Sequence, residues 1–151
     1  MRKTAIKMMA VLTFGLSTIM MSGSVLAEEW PLKAGDYWEV TGIKIHDGGG
    51  YKYSQWLATE WRKDLDFAKS KGWIKDYMIL SNVHPRSSEP DLYLVRVMES
   101  VVSAAEGEKR QKEYMAWQQK TIEKMQSESG NRAEYRTVMS DSLLQVLTFR
   151  D

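Results

Sequence analysis

The spacing of apolar side chains changes period several times along the chain, and each change marks an element. Tyr37 to Ile45 is rich in β-branched and aromatic residues, which predicts a strand. Asp47-Gly48-Gly49-Gly50 ends it and opens a turn. From Tyr51 to Ser70 the period lengthens to that of a helix. At about 100° per residue, Tyr53, Trp56, Leu57, Trp61, Leu65, Phe67 and Ala68 share one arc, with Gln55, Thr59, Arg62, Lys63, Asp66 and Lys69 opposite. Gly72 stands where a helix C-terminal cap belongs.

Trp73 to Val83 reads as a second strand centred on Tyr77-Met78-Ile79-Leu80. The turn-rich loop His84 to Pro90 joins it to a third strand, Asp91 to Met98, so the two form a hairpin. After a connector at 99–107, Glu108 to Ser129 has helical period, with Tyr114, Met115, Trp117, Thr121, Ile122 and Met125 on its inner arc. Gly130-Asn131 stops it, residues 132–140 fit neither period, and Leu143 to Phe149 is a last strand.

The order is β-α-β-β-α-β, the split βαβ or ferredoxin-like pattern of an α+β fold. Two helices then cover one face of a four-stranded antiparallel sheet, whose other face should be polar. These strands are apolar on both faces. Strand three offers Leu92, Leu94 and Met98 on one side and Tyr93, Val95 and Val97 on the other. Strands two and four repeat the pattern, with Met78 and Leu80 against Tyr77 and Ile79, and Leu143 and Leu147 against Leu144 and Val146. A second subunit is the natural cover for the remaining face. On this element order and these two-faced strands, residues 37–150 resemble the dimeric α+β barrel proteins, which include the antibiotic-biosynthesis monooxygenases and the EthD-like and NIPSNAP-like proteins. The resemblance implies two sheets packed face to face in a homodimer, with a pocket between helices and sheet in each subunit. Members range from cofactor-free oxygenases to haem-handling proteins, so the fold leaves the activity open.

Residues 1–27 change the chain that must fold. Arg2, Lys3 and Lys7 precede an apolar run from Met8 to Met21, and Val25-Leu26-Ala27 makes a small-residue exit. That is an export signal, cleaved near Ala27, and its 14-residue run is shorter than the ~20 residues of a membrane span. The expectation is a periplasmic or secreted single domain of residues 28–151, with no membrane span in the mature chain. Of 21 basic residues 18 remain against 20 acidic ones, a net charge of −2, which argues against a nucleic-acid footprint. There is no cysteine, which excludes disulfides, zinc thiolate sites and thiol nucleophiles. Core packing must hold the domain, and six Trp, seven Tyr and two Phe of the mature chain are available for it.

Candidate chemistry begins on the first helix. Glu60 and Asp64, four apart, lie near the middle of its apolar arc. A carboxylate under an apolar roof has a raised pKa unless a cation holds it ionised, so each is a candidate general base or ligand anchor. The plainer reading pairs them with Arg96 or Lys44 of the sheet. Tyr53, Trp56, Trp61 and Tyr114, with Arg96 and Gln118, are candidates to bound a ligand cavity; the alternative is that the aromatic rings are simply the core. His46 and His84 end strands one and two. His84, between Val83 and Pro85, is the better candidate for proton transfer at a pocket rim. Two isolated histidines make no metal-ligand cluster, so no metal is expected. The triglycine turn matches neither the dinucleotide nor the P-loop fingerprint, and no G-x-S-x-G elbow supports Ser/His/Asp catalysis.

Four readings follow: a homodimeric protein binding a small, largely apolar molecule; a cofactor-free oxygenase or isomerase-like enzyme using Glu60, Asp64 or His84; a haem-binding variant; or a dimerisation module. The sequence names neither a cofactor nor a reaction.

Overall fold

Two long antiparallel strands set the frame of the computed structural model, which describes residues 29–151. The export signal expected at residues 1–27 lies outside the described residues. Strand β1 is Leu32–Ile45, helix α1 Gly50–Trp56, a π-helical turn Leu57–Trp61, helix α2 Arg62–Ser70, strand β2 Asp76–Ser81 and strand β3 Leu92–Met98. Helix α3 Ala104–Gln118, helix α4 Ile122–Asn131, a 3-10 turn Arg132–Glu134 and strand β4 Arg136–Phe149 complete it. The fold is α+β, with one four-stranded antiparallel sheet in the order β2-β3-β1-β4.

The first and last strands are longer than the sequence pattern predicts, and β2 is shorter than the predicted Trp73 to Val83. β1 starts at Leu32 because Leu32 pairs with Phe149, and β4 starts at Arg136 because Arg136 pairs with Ile45. Lys33, Gly35, Asp36, Ser140 and Ser142 have weak strand preference, and pairing with a neighbour overrides it. Residues 132–140, which fit neither period, hold the 3-10 turn and the first part of β4.

The predicted single helix over 108–129 is instead two. Gln119 takes a left-handed conformation (φ 53°), and the Thr121 hydroxyl accepts from the Lys124 backbone N–H at 3.2 Å, starting α4 anew. A threonine that caps a new helix cannot also extend the old one. Helix α3 also starts earlier than predicted. Ser103 accepts from the Glu106 N–H at 3.2 Å, the first half of a Ser-x-x-Glu capping box.

The core lies between sheet and helices, where Ile43 and Leu94 meet Tyr53 and Leu57, with Tyr135 beside them. Tyr53 stacks on Trp56 with ring centroids 5.6 Å apart. Phe67 of α2 stacks on Trp117 of α3 at 4.1 Å, which holds the second helical layer against the first. The turn into α1 is equally tight. Gly48 sits at φ +76°, which glycine adopts without strain, and Gly49 is buried against Tyr135.

A Cβ on Gly49 would lie 2.6 Å from the Tyr135 carbonyl oxygen and 2.8 Å from its Cβ. Gly49→Ala is therefore expected to lower stability by about 1–3 kcal/mol through overpacking, while Gly50→Ala, which meets nothing within 4 Å, should not. Chemical denaturation of the two variants beside the wild type checks the contrast.

Candidate functional site

A single extra residue in the first helix determines which side chains face the sheet. A regular α-helix from Tyr53 onward would put Glu60 and Asp64 at the centre of the inward arc and Leu65 at its edge. The π turn Leu57–Trp61 absorbs one residue, which sets the following helix back by about 100°. Leu65 then moves to the centre, and it is buried. Asp64 moves to the edge, half-buried toward α3, and Glu60 is exposed. Trp61, an edge position on a regular helix, comes round beside Tyr53 and Trp56 to face the sheet.

A second extra residue lies in β4. Ser140 pairs with Gly42, but Val138, not Met139, pairs with Ile43. Side chains alternate along a strand, so without this bulge Val138 and Arg136 would share Ser140's outer face. With it they turn to the helix side, opposite Ile43 and Ile45.

These two adjustments shape a partly open cavity of about 420 Å³ between helices and sheet. Its walls are Tyr53, Trp56, Trp61 and Leu65 from the first helix, Thr41, Ile43, Leu94 and Arg96 from the central strands, and Arg136 and Val138 from β4. Trp73 and Tyr114 close one end beside Asp64. A volume of that size, mostly aromatic and aliphatic with a few converging polar groups, suits a small organic ligand.

The polar groups fall in two sets. At one end Gln118 donates from Nε2 to Asp64 Oδ1 and, at 3.1 Å, to the Tyr114 hydroxyl oxygen. Burial, followed by the neighbouring Glu60 carboxylate, raises the Asp64 pKa above its ordinary value, although Tyr114, Lys120 and Lys63 oppose the shift. Burial beside Asp64 likewise pushes the Tyr114 phenol up. In the second set, the Tyr53 hydroxyl and the Arg136 Nε are enclosed without a hydrogen-bond partner among the described residues. Burial pushes the Tyr53 pKa up to about 12 despite Arg136 and Arg132 nearby, so its hydroxyl keeps its proton and can donate.

Of the residues singled out in the sequence, Tyr53, Trp56, Trp61, Asp64, Arg96 and Tyr114 line this one cavity. Gln118 lies in a small adjoining cavity with Asp64 and Glu60. The pairing of the helix carboxylates with Arg96 or Lys44 does not form. Arg96 pairs with Glu39, and Lys44 pairs with Asp91 at 2.8 Å. His84 is exposed on the loop after β2, apart from Asp64. His46 bonds through Nε2 to the Thr137 hydroxyl at 2.8 Å. Neither histidine lines the cavity, and the haem reading draws no support from their placement. Arg136, Trp73 and Thr41 were not singled out. Arg136 belongs to the stretch without a clear period, where only the pairing with β1 reveals its side. No family model matches this chain, and neither a curated protein nor a solved structure matches it.

The raised Asp64 pKa fixes the sign of a pH effect. Below its ordinary value of 3.8 the carboxyl is protonated in both folded and unfolded chains. Above the folded value it is ionised in both, and the fold carries the cost of a half-buried charge, so stability from this group falls as pH rises through that window. Asp64→Asn is expected to change the melting temperature more favourably at about pH 7 than at about pH 3. An effect that does not differ between the two would mean the carboxylate is fully compensated.

Proposed function

We propose that this chain is an exported homodimeric protein of the dimeric α+β barrel type, which binds a small, largely apolar molecule between its helices and its sheet. The observation that carries the binding reading is the cavity of about 420 Å³, lined by Tyr53, Trp56, Trp61 and Tyr114. A domain that used these rings only as core would close them on one another, because protein interiors leave few voids larger than a water molecule. Read from β4, the strand order is β4-β1-β3-β2, which supports the ferredoxin-like arrangement.

The dimer reading draws on the other face of the sheet. Register places Trp38, Val40, Tyr93, Val95, Met78 and Leu144 together on the side away from the cavity. Val95 is enclosed among its neighbours, yet Leu80 and Leu144 on the same face stay 44% and 52% exposed. Lys44, at one end of that face, is neutralised by Asp91. A second copy presents the same apolar face and can cover it about a two-fold axis. Export rests on the charge and hydropathy of residues 1–27. Among the described residues no helix is long and apolar enough to cross a membrane.

A second reading, an acid/base enzyme working without a cofactor, is favoured by one observation: Asp64, with its raised pKa, lines the cavity beside Tyr114.

Native mass spectrometry of the exported chain is expected to weigh a dimer carrying extra mass that denaturation removes. The pair Leu80→Glu and Leu144→Glu should give monomers with unchanged circular dichroism, since a buried unpaired carboxylate opposes association strongly. A wild-type monomer would sink the dimer. A dimer that neither retains a ligand nor takes up any aromatic probe would sink the binding reading.

A further inference from the structure

Most charged side chains around the cavity are already paired. Arg96 is held by Glu39, Lys120 by Glu128 at 2.8 Å, and Lys52 by Glu134 at 2.8 Å. Arg136 is different. It lines the cavity, its Nε is enclosed without a partner, and none of the ion pairs among the described residues uses it. Its guanidinium carbon lies 5.8 Å from the centre of the Tyr53 ring. Tyr53 is only 1% exposed, yet its hydroxyl has no acceptor. A second guanidinium, Arg132, lies over the Trp56 ring at 4.4 Å. It too has an enclosed Nε without a partner, and it adds positive potential without entering the cavity lining.

Buried polar groups left without partners cost free energy, and more when charged. The fold carries two such groups on residues that line one largely apolar cavity. A ligand oxygen anion would satisfy both. The guanidinium fork offers parallel N–H donors that match the two oxygens of a carboxylate, and the phenol adds a single donor. Of the cavity's two arginines, Arg96 is already neutralised by Glu39, so Arg136 is the guanidinium left to meet a ligand anion. The space beyond is bounded by Trp56, Trp61 and Leu94, which suits a flat apolar body. The Asp64 and Tyr114 side chains, joined by Gln118, can meet a ligand hydroxyl or carbonyl.

We infer that the cavity takes an aromatic carboxylate, its carboxylate seated against Arg136 and the Tyr53 hydroxyl and its ring between the tryptophans and the sheet. This rests on the ligand-binding reading above and narrows it to one chemical class. Arg136 and Tyr53 are binding residues here, and no bond is made or broken.

The test compares naphthoate with naphthamide, which keeps the ring and the shape but removes the charge. Quenching of tryptophan fluorescence reads binding to the full exported protein, since Trp56, Trp61 and Trp73 line the cavity. Naphthoate is expected to bind at least about tenfold more tightly, as hydrogen bonds to a charged group contribute roughly 1.5–3 kcal/mol. Arg136→Gln should abolish that preference by weakening naphthoate binding far more than naphthamide binding, with unchanged circular dichroism showing that the variant keeps its fold. Tyr53→Phe should reduce the preference in part. Equal binding of both probes by the wild type would overturn the carboxylate inference and leave the binding reading standing. No binding of either would overturn both. Tighter binding of naphthyl phosphate than of naphthoate would overturn the carboxylate assignment in favour of a phosphate ester.

Discussion

The π turn at Leu57–Trp61 decides which residues of the first helix face the sheet. Everything C-terminal to it is rotated back by about one residue's worth of helix, roughly 100°. Leu65 takes the central, fully apolar position, where a carboxylate would otherwise have to lose its water. Asp64 is moved to the margin, within reach of Tyr114 and Gln118 on α3. Trp56 and Trp61, which a regular helix would hold about 140° apart, come within about 40° of each other and together form one wall. Burying the right side chains and opening a cavity between the two layers thus have a common cause.

That cavity has to be held open by a domain with no cysteine and hence no disulfide. Interlocking rings around its rim do this work. Tyr53 stacks on Trp56, Phe67 on Trp117, and Trp61 meets Tyr77 edge-on at 5.3 Å. Such pairs contribute about 0.5–1.5 kcal/mol each beyond the area they bury. Cations extend the same surfaces, with Arg132 over Trp56 and Arg110 over Trp73. The rings that line the space therefore also support it. The choice between aromatic core and aromatic pocket, which the sequence poses, is not exclusive here.

The four strands, their antiparallel sheet and the first helical segment are legible in the period of the sequence, because each element buries one face against another. Most of the cavity lining is legible for the same reason: Tyr53, Trp56, Trp61, Arg96 and Tyr114 are large or charged residues on inward arcs. What escapes is local. Glu60 leaves the inward arc and Asp64 moves to its edge, because a fixed period cannot register an inserted residue. The break before α4 escapes because Thr121 continues the apolar stripe while its hydroxyl caps a new start. The first part of β4 escapes because its polar residues are held as strand by β1, a partner about 100 residues away in sequence.

The bulge in β4 and the π turn are the same device in two kinds of secondary structure. Each adds one residue, each re-aims the side chains beyond it, and each acts on the same space. The π turn brings Trp61 and Leu65 to the cavity from the helix side and leaves Asp64 at its margin; the bulge at Met139 brings Arg136 and Val138 to it from the sheet side. Without the bulge, Arg136 would lie on the outer face of the sheet, at the end near Lys44, and add an unpaired charge to a largely apolar surface. One inserted residue therefore serves both faces of the sheet. It keeps the outer face free of an unpaired guanidinium and delivers that guanidinium to the inner one, where Tyr53 also lacks a partner. A strand in perfect register could not meet both requirements with this sequence.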